Sequence, residues 1–353
     1  MPDQRAGAAG APRTITYAAA LNEALREEMA RDEDVVLLGQ DIAVWGDGGG
    51  VFTVTRGLVE AYGAARVRDT PVSEEGLVGI AVGAAATGLR PVAELMYFDF
   101  VTLAMDPLVN QAAKLRYMFG GQTRVPLVLR SNVGASGGKA AQHSQSLESI
   151  IQHVPGLKLA LPSTPADAKA LLVAAIRDDN PVIFLEHKLL YFAKGEVDGP
   201  QAPLPFGRAA VVRPGRDLTV VASQVMMHRA VGVAERLAAE GIEVEVIDVR
   251  TLVPLDVETI VASVARTHRL LICHEAVARG GWAGEVAMHV VEEAFDELDG
   301  PIVRVCGANF PVPYAGSLEP MVIPGADQIE AGIRAALDGR VPDDALHRVA
   351  AGR

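Results

Sequence analysis

Two short stretches hold residues that could carry out acid–base chemistry. The first, "AAQHSQS", places His143 among small and polar residues directly after a glycine-rich run. The second, "TPVSEEGLVG", places Glu74 and Glu75 at the predicted start of a helix of small residues. An imidazole titrates near neutral pH and can move protons, and a carboxylate can accept them. Each has a structural alternative: a histidine bonded locally at a helix start, and a carboxylate that stabilises a helix N-terminus.

Two glycine-rich stretches resemble the motifs of other enzyme classes. "GDGGG" (46–50) could cradle a phosphate, but the chain holds no Gly-x-Gly-x-x-Gly, the usual sign of a nicotinamide-binding oxidoreductase. A flexible surface loop is the favoured interpretation. "GASGG" (134–138) matches the Gly-x-Ser-x-Gly pattern of hydrolases. A nucleophile at Ser136 is disfavoured, because the glycines continue past the serine and predict no sharp strand-to-helix turn.

An apolar stripe follows the glutamates in "AELMYFDF" (93–100). On a strand, Met96, Phe98 and Phe100 would alternate onto one face. Such a stripe is more often part of a core than of a ligand pocket. It gains functional interest only in combination with the carboxylate and the histidine.

The composition excludes several classes of function. The 353 residues suit two domains, and a hydrophobic content of 50% is enough for large cores. The formal net charge of −12 argues against nucleic acid or an anionic membrane as the main partner. Two cysteines, Cys273 and Cys306, form no disulfide framework, and no apolar run approaches the roughly 20 residues of a membrane span. The first residues lack the apolar core of a secretory signal. We expect a cytoplasmic protein of bacterial type rather than one of the mitochondrial matrix.

Short apolar runs alternate with helical patterns, and these elements must position the candidate residues. Continuous apolar strands of this kind indicate parallel sheets covered by helices on both faces, which is an α/β fold. The predicted strands are 91–96, 125–130, 157–162 and 181–187 in the first half, and 218–223, 243–252, 270–275 and 302–307 in the second.

A stretch rich in proline, glycine and charge divides the chain at 193–208, and we predict a linker there. The first parallel-sheet domain is predicted over 14–192 and a smaller one over 209–340. Residues 1–13 and 341–353 are predicted to be tails.

Three long stretches resemble one protein family. They are "DTPVSEEGLVGIAVGAAATGLRPVAELMYFDF", "NQAAKLRYMFGG" and "GASGGKAAQHSQSLE". From about Thr14 to its last helix, the chain is similar to the beta subunits of the thiamine-diphosphate-dependent 2-oxo acid and acetoin dehydrogenases. These are decarboxylating first components of complexes of the pyruvate dehydrogenase type. The resemblance implies a thiamine-diphosphate pyrimidine-binding (transketolase-like) domain followed by a transketolase C-terminal-like domain.

The resemblance assigns a cofactor role to the glutamate motif and the apolar stripe. Glu74, not Glu75, matches the carboxylate that touches the aminopyrimidine of the cofactor. A carboxylate bonded to that ring favours the imino tautomer that takes the proton from the thiazolium carbon, and a dry pocket strengthens the bond. Val72, Met96 and Phe100 match positions that lie against the pyrimidine ring.

His143 matches the active-site histidine of the family. The role implied is to guide acyl transfer to an incoming lipoyl disulfide by donating a proton, for which an imidazole is suited. The alternative of a locally bonded histidine at a helix start becomes the weaker interpretation.

The resemblance also implies that the cofactor is shared with a second chain. Thiamine enzymes hold the magnesium diphosphate with Gly-Asp-Gly and asparagine ligands roughly thirty residues later, because magnesium needs several oxygen ligands. Gly46-Asp47-Gly48 resembles the start of that motif, but no asparagine lies between Asp47 and Asn110. We predict that magnesium and the diphosphate bind to an alpha subunit, in a heterotetramer of two alpha and two beta chains. A lipoyl-bearing dihydrolipoamide acyltransferase core is the further partner, expected to contact the second domain.

Members of this family also hold a structural potassium ion, partly through backbone carbonyls, and a hard cation prefers oxygen ligands. The matching positions in this chain are Leu127, Ala175, Ile176, Asp178 and Asn180.

The substrate stays open between pyruvate and acetoin. Branched-chain members carry a tyrosine before the catalytic histidine, and a glutamine and a tyrosine where Met96 and Phe100 stand. This chain has Gln142 before His143. "RYMFGG" and "AELM" favour acetoin dehydrogenase, and "PVSEEGLVGIAVGAAATGLRPV" fits pyruvate enzymes equally well. The remaining alternatives are a branched-chain 2-oxo acid dehydrogenase beta subunit, a nicotinamide oxidoreductase and a non-catalytic scaffold subunit. Retention of both Glu74 and His143 argues against a scaffold.

Overall fold

A computed structural model describes residues 13–43, 49–199 and 202–343 of the chain. The strands are β1 (Arg13–Thr16), β2 (Val35–Gly39), β3 (Val67–Asp69), β4 (Arg90–Leu95), β5 (Val128–Val133), β6 (Lys158–Ala160), β7 (Val182–His187), β8 (Lys194–Val197), β9 (Ala210–Arg213), β10 (Leu218–Ala222), β11 (Val244–Asp248), β12 (Thr251–Val253), β13 (Leu270–Val277) and β14 (Val303–Gly307).

The α-helices alternate with these strands. They are α1 (Tyr17–Arg31), α2 (Leu58–Tyr62), α3 (Glu74–Ala86), α4 (Leu115–Met118), α5 (Glu148–Gln152), α6 (Pro165–Arg177), α7 (Gln224–Ala238), α8 (Val257–Thr267), α9 (Ala283–Ala294) and α10 (Ala326–Leu337). Tighter or wider helical segments are a 3₁₀ helix (Phe98–Ala104), a π-helix (Asp106–Ala112) and short 3₁₀ turns (Lys188–Leu190, Phe295–Glu297, Glu319–Met321).

The first domain is built on a seven-stranded sheet, counted over the described residues, with the order β12-β6-β7-β5-β4-β2-β3. Neighbouring strands are parallel except for β12, which pairs antiparallel with β6. Every residue of β2, β5 and β7 is buried, because helices cover both faces. Helices α1 and α6 pack together on one face, and α3 packs with the 3₁₀ and π segments on the other.

The second domain has a five-stranded sheet in the described residues, with the order β14-β13-β10-β11-β9. Its strands are parallel except for the edge strand β9. Helices α7 and α10 cover one face, while α8 and α9 contribute to a hydrophobic core that also contains residues of the first domain. The predicted α/β fold with two mostly parallel sheets is therefore confirmed.

Two predicted segments differ from the structure. The run 243–252 is not one strand: the chain turns at Arg250, whose φ is 59°, and the following strand β12 joins the sheet of the first domain. The predicted linker 193–208 is not irregular throughout. It contains β8, which pairs antiparallel with β1 at the start of the described chain. Both differences concern short edge strands, whose pairing partners lie far away in sequence.

Side-chain caps fix the starts of the two helices that pack together on one face of the first sheet. Thr16 Oγ1 accepts a hydrogen bond from the N–H of Ala19 at the start of α1, and Thr164 Oγ1 accepts one from Asp167 at the start of α6. These caps satisfy backbone donors that the first helical turn leaves free. Among the described residues, no helix combines the length and apolar character needed to cross a bilayer.

Candidate active site

The carboxyl edge of the first sheet gathers the residues that the sequence singled out. In open α/β sheets, ligands bind at the carboxyl ends of parallel strands. Glu74 follows β3, Met96 follows β4, and residues 134–147, called here the histidine loop, follow β5. Lys188 follows β7, the neighbour of β5. Four chain segments that are distant in sequence therefore meet on one side of the domain.

Glu74 is the first residue of α3 and is only 8% exposed. The Ser73 Oγ accepts a hydrogen bond of 3.4 Å from the N–H of Gly76, which fixes the direction of the chain as it enters the helix. The positive end of the helix dipole favours a carboxylate at this position. The Glu74 side chain makes no hydrogen bond or ion pair with any described residue, whereas Glu75 is exposed. Glu74 is thus a buried carboxylate that is free to accept a hydrogen bond from a ligand.

The residues predicted to lie against the pyrimidine ring have different exposures. Val72, in the segment between β3 and α3, is 79% exposed. Met96 and Phe100 are half-buried beyond the carboxyl end of β4. All three present apolar surface at the edge where Glu74 lies.

The predicted strand alternation of Met96, Phe98 and Phe100 is wrong. Strand β4 ends at Leu95, and the 3₁₀ helix begins at Phe98. The N–H of Phe100 donates to the carbonyl of Tyr97 at 2.9 Å, which closes a tight turn. Phe98 is consequently buried in the core while Phe100 turns toward the histidine loop. A sequence pattern with a period of two cannot reveal where a strand leaves the sheet.

His143 lies between two aromatic rings. Its imidazole is edge-on to Tyr97 and to Phe100, with ring centroids 5.4 Å apart in both cases. The ring nitrogens make no hydrogen bond to any described residue. The interpretation as a histidine at a helix start is wrong, because α5 begins only at Glu148. His143 is a half-buried loop residue whose ring is oriented by packing and whose nitrogens are available to a ligand.

The second domain holds the beginning of the histidine loop through two carboxylates. The N–H of Ala135 donates to Oε1 of Glu275 on β13. The N–H of Gly137 donates to Oε1 of Glu319 at 3.2 Å. The loop that carries His143 is therefore part of the contact between the two domains.

The first domain holds both ends of the same loop. Asp99 Oδ1 accepts hydrogen bonds from the backbone and the side-chain amide of Gln145, each at 3.0 Å. Lys188 Nζ donates to the carbonyls of Gly134 at 3.0 Å and His143 at 2.9 Å. Sequence reasoning identified neither Asp99 nor Lys188. The available signal was a lysine directly after a buried apolar strand, where a charged side chain is rarely enclosed without partners.

Glu275 is also bonded to the end of β7. His187 Nδ1 accepts from the N–H of Leu189 at 3.2 Å, so Nε2 carries a proton and donates to Glu275 Oε2 at 3.0 Å. Burial acts to raise the pKa of the Glu275 carboxyl, but His187 and the Ala135 N–H outweigh it and hold the pKa below its usual range. The ionised carboxylate thus joins two loops of the first domain to the second domain.

A cavity of about 360 Å³ separates part of the histidine loop from the second domain. Its lining includes Ser144 and Leu147 of the loop, and Val277, Arg279 and Phe310 of the second domain. On this side, close packing does not hold the loop, so hydrogen bonds must fix its position.

The other candidate motifs have no catalytic geometry. Ser136 lies within the histidine loop, and the next helix starts only at Glu148, so the turn of a hydrolase nucleophile is absent there. Gly46-Asp47-Gly48 lies outside the described residues. In the parts of the chain that the structure describes, no group of three or more His, Cys, Asp or Glu side chains could hold a metal ion.

The residues matched to a potassium site cluster where α6 ends beside β5 and β7. The Arg90 guanidinium donates to the carbonyls of Ile176 at 3.0 Å and Asp178 at 3.1 Å. The carbonyl of Leu127 accepts from Val182 N–H at 2.8 Å.

The remaining members of this cluster are bonded as well. The carbonyl of Ala175 accepts from the N–H of Asp178 at 3.2 Å, and Asn180 Oδ1 accepts from Arg116 at 2.6 Å. A protein cation thus already contacts two of the carbonyls, and this donor set does not by itself require a potassium ion.

These observations define a class of protein. Two α/β domains with mostly parallel sheets, and a buried carboxylate and a histidine at the carboxyl edge of the first, match a transketolase-type architecture. Residues 13–194 match the family model described as transketolase, pyrimidine binding domain, and residues 207–329 match transketolase, C-terminal domain. A solved structure described as a split gene transketolase, an inactive beta4 tetramer, has the same fold, with a TM-score of 0.76 at 23% identity over 92% of this chain and 99% of that chain.

Two curated relatives are closer in sequence. The chain is 47% identical over 334 residues to the beta subunit of acetoin:2,6-dichlorophenolindophenol oxidoreductase of Cupriavidus necator, covering 93% of this chain and 98% of that protein. It is 45% identical over 336 residues to the mitochondrial pyruvate dehydrogenase E1 component subunit beta-2 of rice, covering 94% and 89%. The chain belongs to the family of pyruvate and acetoin dehydrogenase E1 beta subunits, and the resemblance identified in the sequence is confirmed.

Proposed function

We propose that this chain is the beta subunit of a thiamine-diphosphate-dependent dehydrogenase component that decarboxylates pyruvate or cleaves acetoin. In either case a two-carbon unit is oxidised to an acetyl group while a lipoyl disulfide is reduced. One sulfur receives the acetyl group and the other receives a proton. The observation that carries the proposal is the buried Glu74 carboxylate, which lacks a partner among the described residues at the edge where ligands of this fold bind.

The residues at this edge fit the aminopyrimidine half of the cofactor. Glu74 would accept a hydrogen bond from the ring, and Val72, Met96 and Phe100 would cover its apolar surface. When bound, thiamine diphosphate supplies the nucleophilic carbon that attacks the substrate carbonyl. The contribution of this chain would be to hold the ring and to place the negative charge of the Glu74 carboxylate beside one ring nitrogen.

His143 is proposed to act in the second half of the reaction. Its ring nitrogens are unbonded within the described residues, and Tyr97 and Phe100 limit the movement of the ring. A protonated imidazole in this position can deliver a proton to the sulfur that leaves when the lipoyl disulfide opens.

We propose that an alpha subunit completes the site, in a heterotetramer of two alpha and two beta chains. Magnesium and the diphosphate would then be bound by the alpha chain. Around the first domain, large apolar side chains are exposed on α3, on the 3₁₀ helix that packs against it, and on or just after α4. The π-helix packs on all three of these elements. An exposed apolar surface of this kind is typical of a subunit contact. The residues are Ile80, Leu103, Tyr117, Met118 and Phe119.

Pyruvate and acetoin are both retained as substrates, since relatives named for each are 45% and 47% identical. A branched-chain 2-oxo acid and a non-catalytic scaffold role are the alternatives.

The lipoyl-bearing acyltransferase core is the proposed further partner, in contact with the second domain. Cytoplasmic location stays a prediction, since one relative is bacterial and the other is mitochondrial by name.

Bound potassium also stays a prediction, because Arg90 already donates to two of the proposed carbonyl ligands. It can be tested by the melting temperature in KCl and in NaCl at equal ionic strength. A rise specific to potassium supports the ion, and equal values contradict it.

The proposed function is tested by co-purifying this chain with its alpha subunit and assaying pyruvate, acetoin and a branched-chain 2-oxo acid in parallel. Lipoyl acetylation from pyruvate or acetoin supports the proposal, and the preferred substrate decides between them. Activity with only the branched-chain acid, or none with any, contradicts it.

Alone, the chain should show no decarboxylase activity and should bind thiamine diphosphate poorly. Tight magnesium-dependent binding by the single chain would refute the shared site.

A further inference from the structure

Lys188 is a buried lysine that contacts the histidine loop at two distant points. Its side chain is 1% exposed, and its Nζ donates to the carbonyls of Gly134 and His143, nine residues apart in sequence. We propose that Lys188 is a positioning residue that fixes His143 for acyl transfer by joining the backbone of His143 to the start of this loop. The proposal rests on the proposed function of His143 but concerns a residue to which that function assigns no role.

The geometry around the ammonium group accounts for its orientation. Nζ lies 4.6 Å from the centroid of the Tyr97 ring and 4.0 Å from Oδ2 of Asp99. Two of its three protons are therefore used by carbonyls, while the aromatic face and the carboxylate stabilise the charge. Hydrogen bonds from a charged donor are stronger than those from a neutral one, and more so in a buried setting.

Lys188 and His143 also contact the same aromatic ring. The Tyr97 ring is nearly perpendicular to the imidazole and presents its face to the ammonium group. Lys188 thus limits His143 in two ways, through the backbone carbonyl of that residue and through the ring that packs on its side chain. Loss of Lys188 should release both restraints together, because the cavity of about 360 Å³ beside the loop leaves room for it to shift.

The charge of Lys188 depends on pH near neutrality. Burial lowers the pKa of its amine to about 8, although Asp99 and Glu275 act to raise it, and Lys139 adds to the lowering. Above this pH the amine becomes neutral and its bonds to the two carbonyls weaken. An arginine at the same position would stay charged.

The experiment compares Lys188→Met and Lys188→Arg with Lys169→Met in the complex with the alpha subunit. Lys169 is an equally buried lysine, bonded to Glu23 and Glu27 on α1, and it does not contact the histidine loop. Two readouts are needed: hydrogen–deuterium exchange of peptides that cover 134–147, and the rates of lipoyl acetylation and of dye reduction. Exchange does not depend on His143 being catalytic, so it tests the restraint of the loop by Lys188 separately from the proposed function.

We expect Lys188→Met to speed exchange of the histidine loop at least tenfold and to lower kcat for lipoyl acetylation roughly ten- to a hundredfold, since small displacements of a reacting group have effects of this size. Dye reduction and the KM for the 2-oxo substrate should change less than threefold. Lys169→Met should alter neither readout at the loop. Lys188→Arg should restore most of the acetylation rate at pH 7. It should also keep the histidine loop protected from exchange at pH 9, where protection in the unmodified protein falls.

If exchange of the histidine loop is unchanged in Lys188→Met, Lys188 does not restrain the loop and the proposal is wrong. Faster exchange with unchanged acetylation would show that Lys188 restrains the loop but does not position His143 for acyl transfer, which contradicts the proposal. Equal losses in both assays would show a general structural role. If Lys188→Met does not fold, the unmodified protein still decides the question. Protection of 134–147, corrected for intrinsic exchange, must decrease between pH 7 and pH 9.5, and constant protection contradicts the proposal.

Discussion

The imidazole of His143 packs edge-on to the ring of Phe100, with centroids 5.4 Å apart. The two residues follow different strands, β4 and β5, and are 43 positions apart in sequence. Phe100 is predicted to contact the pyrimidine ring of the cofactor, and His143 is predicted to act in acyl transfer. The proposed sites of the two half-reactions are therefore in direct contact. A change at either residue is therefore expected to affect the other, whereas Glu74 reaches the site from a separate element, α3.

Glu74→Gln should reduce turnover of the reconstituted complex by at least a hundredfold and leave the fold intact. Glutamine keeps the shape of the side chain but removes the charge proposed to favour the imino form of the cofactor. The neighbouring substitution Glu75→Gln is the matched control, because that residue is exposed, and it should change turnover by less than threefold. The measurement is kcat with the melting temperature followed in parallel. The opposite ranking of the two variants would show that the wrong glutamate had been chosen.

Gly134→Ala should destabilise the protein by roughly 2–5 kcal/mol, because it combines a strained backbone with a steric clash. The φ of Gly134 is 86°, and an added Cβ would lie 2.1 Å from Nε2 of His187, the group that donates to Glu275. The clash would disturb the connection between the domains. Thermal or denaturant unfolding measures the loss.

Gly137→Ala provides the control for the backbone term alone. Its φ is 76°, but an added Cβ would meet no atom within 4 Å. We expect a cost of about 1–2 kcal/mol from the positive φ. If both variants lose the same stability, the contact with His187 contributes nothing, and the account of Gly134 is wrong.

The sequence predicts the elements of this site better than their connections. The helix that begins at Glu74 and the apolar strands were predictable, because periodicity and burial follow from local patterns. The position of His143 beside Phe100 was not, since it depends on a turn after Leu95 that interrupts an apparently continuous strand. Contacts such as Lys188 to Gly134 join positions that only the folded sheet brings together.

Glu148→Gln should stabilise the protein at pH 8 and have little effect at pH 5. Burial, reinforced by the nearby Glu275 carboxylate, raises the pKa of Glu148 from 4.5 to about 7. Between these values the folded state binds more protons than the unfolded state, so the free energy of unfolding decreases as pH rises from about 4.5 to about 7. Glutamine removes this loss, and we expect a gain of about 1–3 kcal/mol above pH 7.

The measurement for Glu148 is the melting temperature of both proteins from pH 5 to pH 8. Glu293→Gln on the exposed surface of α9 serves as a control and should behave like the unmodified chain at every pH. A stabilisation by Glu148→Gln that is the same at pH 5 and pH 8 would contradict a raised pKa at this carboxyl.

Removal of the second domain should prevent assembly of the heterotetramer and should also unfold part of the first domain. The sheet of the first domain includes β12, which lies beyond residue 205, and the first core cluster contains residues of both domains. A chain of residues 1–205 would expose that core to water. Size-exclusion chromatography with the alpha subunit tests this, and a truncated chain that forms a working complex would refute it.

His143→Ala should separate the two halves of the reaction. The first half depends chiefly on Glu74 and the cofactor, whereas acetyl transfer needs a proton on the sulfur that departs from the disulfide. A positioned acid of this kind contributes roughly a hundred- to ten-thousand-fold. The variant should therefore lose most of its lipoyl acetylation but retain more of its reduction of 2,6-dichlorophenolindophenol, an acceptor that has no disulfide sulfur to protonate. Both rates can be measured on one preparation.

His143→Gln, which keeps a polar side chain between Tyr97 and Phe100 but cannot act as an acid, should resemble the alanine variant. If glutamine restores acetylation, His143 serves packing and hydrogen bonding rather than proton delivery. Equal losses in both assays would mean that it acts before the acetyl group is formed, because a group needed only for the departing sulfur cannot slow a reaction that contains no such sulfur.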